Sequence, residues 1–170
     1  MEPDGAEFAQ PASEIQAEGS VEEGSEPDPV ARVRTDERGL VEVEIVVIPS
    51  ASRPGDSARL HLILMPDHTR DAHWNNEAGY SELWVAPPPG WRVDSNHQHL
   101  PVGTGDVSDE TRHLEPEVAV PETAETAETL KGYLLYYVCE GAAGVCVYLR
   151  QDLEIPIPIT TSRKAVGLAG

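Results

Sequence analysis

The chain has 170 residues, 30 of them Asp or Glu against 12 Lys or Arg, for a formal net charge of −18. That excess argues against a nucleic-acid partner, because phosphate binding needs clustered cations, and against attraction to an anionic membrane surface. The length allows one ordinary domain plus a tail, and no run approaches the ~20 apolar residues that span a bilayer.

The opening residues Met1-Glu2-Pro3-Asp4-Gly5 lack a basic start and an apolar run, so no secretory signal is legible and a cytoplasmic chain is the default expectation. Between Met1 and Ala31 stand nine carboxylates and no Lys or Arg, among Pro, Gly, Ser and Ala. Such a stretch buries too little apolar surface to offset its chain entropy, which predicts a disordered acidic tail over residues 1–36, read as a solvating linker ahead of an interaction arm. With those nine charges removed, residues 32–170 still carry −9.

From Gly39 the pattern changes. Val41, Val43, Ile45 and Val47 alternate with Glu42, Glu44 and Val46, the period of a half-buried strand. Pro49 to Gly55 reads as a turn. A second run, Ala58 to Met65, stops at Pro66, and a third, Tyr80 to Ala86, stops at Pro87-Pro88-Pro89-Gly90. Residues 94–113 read as a long polar connection and 121–129, with its Glu-Thr-Ala near-repeat, as a solvated edge or loop. Leu130 to Val138 and Val145 to Ile159 are rich in β-branched and aromatic residues, and no comparable window carries a 3.6-residue apolar stripe. These short strands between Pro and Gly turns predict an all-β sandwich over residues 37–162, with 163–170 as a flexible end.

The chain's two cysteines bracket Glu140-Gly141-Ala142-Ala143-Gly144-Val145, a connection between the two strongest strand patterns. Gly141 and Gly144 permit the backbone turns of a hairpin tip. If Cys139 faces Cys146, the same register pairs Tyr137 with Tyr148 and Leu135 with Arg150, and the cysteine Cα atoms come within bridging range. A bond there closes a loop of only about eight residues, so its chain-entropy contribution is at the low end of ~2 to 4 kcal/mol. A redox role faces the absence of Lys, Arg or His in the loop and the presence of Glu140, which opposes thiolate formation. The residues alone lean toward structural or inert cysteines over an exchanging pair.

Gly132 to Cys139, Gly144 to Tyr148 and Leu153 to Ile157 together resemble the cysteine hairpin of the amino-terminal domain of the disulfide-interchange protein DsbD. They are also similar to the β-domain that ends proteins combining a thioredoxin-like domain with NHL repeats. Upstream, His73 to Tyr80, Leu83-Trp84-Val85 and Pro89-Gly90-Trp91 are similar to that family's aromatic, Asn-rich loop, following strand and Pro-Gly-Trp turn. The resemblance spans residues 40 to 160. Six residues separate the cysteines where the DsbD hairpin has five, which fits the NHL-associated relatives better. It implies an immunoglobulin-like β-sandwich that exchanges disulfides with a thioredoxin-like partner, Cys146 attacking and Cys139 resolving; a monomer is expected. Trp74, Asn75 and Tyr80 are the expected cap or docking residues, with Trp74 in an exposed loop and Trp84 in the core. The other class of reading is a non-catalytic sandwich module whose cysteines form a clip.

His97-Gln98-His99 in extended chain places both imidazoles on one side, and with His113 or a carboxylate would offer a copper or zinc site, but solvated loop histidines are the expectation. Neither a metal nor a cofactor is therefore expected. Asp67 to His73 holds a hydroxyl, an imidazole and carboxylates, yet no strand-turn-helix elbow surrounds a serine, and Gly103-Thr104-Gly105 lacks the helix and Lys of a phosphate loop.

Overall fold

A computed structural model describes residues 25–161, which form two antiparallel sheets packed face to face. The only helical element described is a 3₁₀ turn at His68–Arg70. The first sheet is built on β1 (Val41–Ile48) and β2 (Ser57–Pro66). The second centres on a hairpin of two 13-residue strands, which are β10 (Glu128–Glu140) and β11 (Val145–Ile157). Between them in the chain come β3 (Ala72–Asn75), β4 (Glu82–Ala86), β5 (Arg92–Val93), β6 (His97–His99), β7 (Val107–Ser108), β8 (Arg112–Leu114) and β9 (Glu117–Ala119).

Strand β10 is the spine of the second sheet. One edge pairs with β11 along its whole length, and the other takes β4 against Lys131–Leu135 and then β3 against Val138–Glu140. β6 extends β4, and β7 extends β3. In the first sheet β2 has β1 on one edge and β9 then β8 on the other, with β5 beyond β9. The alternation read in the sequence decides which side chains meet. Leu60, Leu62 and Leu64 of β2 face Leu130, Leu134, Tyr136 and Val138 of β10 and Leu149, Leu153 and Ile155 of β11 in one continuous core. Fully burying each such side chain is worth about 2 kcal/mol.

Three expectations change. Residues 94–113 are not one connection: β6 and β7 and the start of β8 lie within it, strands of two or three residues that are too short to show a period. Trp74 is not an exposed loop residue but a fully buried one, on β3 opposite Val138, its indole nitrogen donating to the Glu110 carbonyl at 2.8 Å. Trp84 is half-buried rather than core, because Leu83 and Val85 take the inward positions of β4 and strand alternation turns Trp84 to the outer face.

The tail boundary is also displaced. Residues 1–24 and 162–170 lie outside the described residues, and with them most of the acidic tail and the flexible end. Residues 25–36 pack on the second sheet. The Asp28 carboxylate accepts from the backbone of Arg32 and Val33, its own amide donates to the Tyr133 hydroxyl at 2.7 Å, and Thr35 forms a parallel bridge to Arg150 on the free edge of β11. Asp36 closes the segment, accepting from the Leu40 amide and the Tyr136 hydroxyl. Tyr133, Tyr136 and Arg150 lie a hundred residues or more downstream of the groups they meet, so composition alone could not reveal these contacts.

Candidate functional site

The expected hairpin register is the observed one: Cys139 faces Cys146, Tyr137 faces Tyr148 and Leu135 faces Arg150. The cysteines are joined in a disulfide across the strands, with Cα atoms 3.8 Å apart. The tip turns through Gly141 and Gly144, both at positive φ, and the Gly144 amide donates to the Gly141 carbonyl at 2.9 Å. The Gly141 amide in turn donates to Asp71, which ties the tip to the chain entering β3.

Alternation along β10 puts Leu134, Tyr136 and Val138 in the core and Tyr133, Leu135, Tyr137 and Cys139 on the outer face. The disulfide therefore sits at one end of an outer face rather than in the sandwich interior. Beside it the Tyr137 and Tyr148 rings stack with centroids 4.2 Å apart. Farther along, Arg150 lies over the Tyr133 ring at 3.6 Å, and Trp84 stacks on the same ring. Burial pushes the Tyr133 phenol up to about 12 and raises the Tyr148 phenol as well, so both hydroxyls stay neutral at physiological pH.

The two sulfurs are not equivalent. Cys139 is 1% exposed, whereas Cys146 and its neighbour Val145 are exposed at the sheet edge, Val145 to 71%. Access to the disulfide from outside is thus through Cys146.

The charges around the pair differ from those of the isolated loop. Glu140 is held by ion pairs to Arg38 and to Arg70, the latter at 3.4 Å, so two cations from other segments compensate the one anion adjacent to Cys139. His73 is the direct cross-strand neighbour of Cys139 on β3. Directly opposed side chains share a face, their Cβ atoms about 5 Å apart. The His73 Nδ1 donates to the Asp71 carbonyl at 3.1 Å, which leaves Nε2 of the neutral ring as a proton acceptor. His73 was missed as a partner of the cysteines because 66 positions of sequence separate it from Cys139; a strand-pairing signal could have found it, but β3 has only four residues.

The remaining candidates are dispersed. Trp74 is in the core, against the Tyr136 ring, and the Arg112 guanidinium lies over its ring at 4.4 Å. Asn75 follows it in β3, its side chain accepting from the Glu77 amide. Tyr80 is exposed and stacks flat on His99, centroids 4.7 Å apart. His97 and His99 lie on β6 beside Glu82 of β4, whereas His113 lies on β8 in the other sheet.

No family model matches this sequence, and no curated protein does. Among solved structures the chain is similar to that reported as "AvmM Catalyzes Macrocyclization in Alchivemycin A Biosynthesis", at 10% identity over 78% of this chain and 98% of that one, with a TM-score of 0.42. It is also similar to Spo0M, a sporulation control protein from Bacillus subtilis, at 10% identity over 73% of this chain and 51% of that one, with a TM-score of 0.28. At these scores neither likeness bears on what this chain does.

Proposed function

We propose that this chain is a thiol-disulfide exchange module that passes two electrons to or from a thioredoxin-like partner through Cys139 and Cys146. The observation that carries this reading is the unequal exposure of the two sulfurs, one buried and one open at a strand edge. A partner thiolate attacks Cys146 Sγ, the Cys139–Cys146 bond breaks, and its electron pair leaves on Cys139 Sγ, which takes up a proton. The partner's second thiolate then attacks the partner sulfur bonded to Cys146, forming the partner's disulfide and releasing Cys146 as the thiolate. The partner is left oxidised and this chain reduced; the reverse sequence begins with Cys146 attacking a substrate disulfide and ends with Cys139 resolving it. The cross-strand pairing of His73 with Cys139 supports a role for its imidazole in exchanging the Cys139 proton, and the exposed Val145 gives an incoming partner an apolar contact beside the reactive sulfur.

Equilibrating the protein in glutathione or dithiothreitol buffers and counting trapped thiols by mass tests the reading. A reduction potential of about −120 to −270 mV, together with a mixed disulfide trapped on Cys146 in the Cys139→Ser variant, is the expected result. A potential below about −300 mV, with reduction only on unfolding, would identify the bond as a structural clip in a non-catalytic sandwich.

A further inference from the structure

Two rows along the same outer face from the disulfide, a second group of side chains converges. His97 and His99 are alternate residues of β6 and therefore project to one side. Glu82 on β4 is paired directly with His99, so its carboxylate rises between the two imidazoles. Its Oε2 lies 3.7 Å from His97 Nε2 and its Oε1 3.6 Å from His99 Nε2. The candidate ligand atoms of all three residues lie within 4.8 Å of one another.

Both Glu82 separations are too long for hydrogen bonds. They are close to the about 3.4 Å that separates two ligand atoms each about 2.1 Å from a tetrahedral zinc ion. His97 Nε2 is buried and has no hydrogen-bond partner, although leaving a buried nitrogen unsatisfied is destabilising. A cation at the centre of the three would supply that nitrogen's missing partner. The Tyr80 ring, parallel to His99 within 4°, holds the more exposed imidazole in plane. The chain's net charge of −18 raises the local concentration of cations.

We propose that Glu82, His97 and His99 form a binding site for a divalent transition-metal ion of the zinc class. Two imidazole nitrogens select against calcium and magnesium, which prefer all-oxygen sites, and three protein ligands leave an outward position for water or a further ligand. The cysteines are no part of the site. Glu82 is level with Leu135, four residues along β10 from Cys139, about 13 Å away, so the site stands whether or not the disulfide exchanges.

The test is a zinc titration of chelator-treated protein with its disulfide intact, so that no thiolate competes, alongside cobalt(II) uptake followed by its visible absorption. One ion per chain is expected, with a rise in thermal midpoint on adding zinc. Glu82→Gln and His99→Gln, both at side chains that are not fully buried, should each weaken binding by more than about tenfold while His113→Gln leaves it unchanged. Circular dichroism matching the parent establishes that these variants are folded. Absence of stoichiometric uptake by the parent, or equal uptake by Glu82→Gln and His99→Gln, would overturn the assignment.

Discussion

Arg150 and Asp28, 122 residues apart, interlock on the outer face of the hairpin sheet: the guanidinium donates to the Asp28 carbonyl at 2.8 Å and to its carboxylate at 3.1 Å. Both residues are buried, and Arg150 also donates to Asp152 at 2.8 Å. Truncating Asp28 leaves the buried guanidinium only Asp152 and the backbone carbonyl of residue 28, and removes the acceptor of the Arg32 and Val33 amides. Asp28→Ala should therefore destabilise the protein by about 3 kcal/mol in denaturant unfolding and open residues 25–36 to proteolysis. A loss below about 0.5 kcal/mol, in the range of an exposed pair, would show that the segment contributes little to the fold.

The same pair sets an acid sensitivity. Burial alone would raise the Asp28 pKa, but hydrogen bonds from Arg32, Val33 and Arg150 outweigh it and hold the carboxyl below its ordinary 3.8. The folded state then binds fewer protons than the unfolded one, so the stabilisation is complete above pH 3.8 and is lost as pH falls through the depressed folded value. The stability difference between the parent and Asp28→Asn should be constant from pH 5 to 8 and shrink below pH 3.8, as thermal midpoints measured across that range will register.

The two tryptophans should respond unequally. Trp74→Ala removes a fully buried indole from the core and should cost about 3 to 5 kcal/mol. Trp84→Ala, on the outer face, should cost less than half of that. Trp74→Phe, which keeps the packing, should leave the rate of disulfide reduction unchanged if the indole is core and no cap; a marked acceleration would restore a capping role.

The disulfide should contribute only modestly to stability. The cysteines are seven positions apart and already aligned by a hairpin of 13-residue strands, so the crosslink removes little freedom from the unfolded chain. The Cys139→Ala/Cys146→Ala variant should unfold cooperatively with a loss of about 2 kcal/mol. Collapse of the fold in that variant would favour the clip over the exchanger.

His73→Gln keeps a polar side chain opposite Cys139 and removes the imidazole that can pass it a proton. Reduction of the disulfide by a dithiol should slow by about tenfold or more. An unchanged rate would show that solvent, not His73, protonates the Cys139 leaving group.

Much of the fold was legible because strand alternation is a local signal. The inward Leu60, Leu62 and Leu64, the outward Glu42 and Glu44, and the glycines of the tip announce two long hairpins within a few residues of their observed bounds, and the register that sets Cys139 opposite Cys146, stated from the sequence only as a condition, is the observed one. Strands of two to four residues carry too few positions to show a period. β3, β6 and β7 were for that reason read as loops, and Trp74 was placed outside the core with them.

The amino-acid sequence by itself determined the all-β class and the long hairpin with a cysteine at each shoulder, since each rests on neighbours within a short stretch of chain, and it left the bonding of the two cysteines open. Tertiary structure alone decided that Cys139 is buried and Cys146 open, that Arg38 and Arg70 surround Glu140, that His73 stands beside Cys139, and that Glu82 meets His97 and His99. These depend on which short strand lies against which edge, and that choice is settled by how the whole core packs, not by any local run of residues.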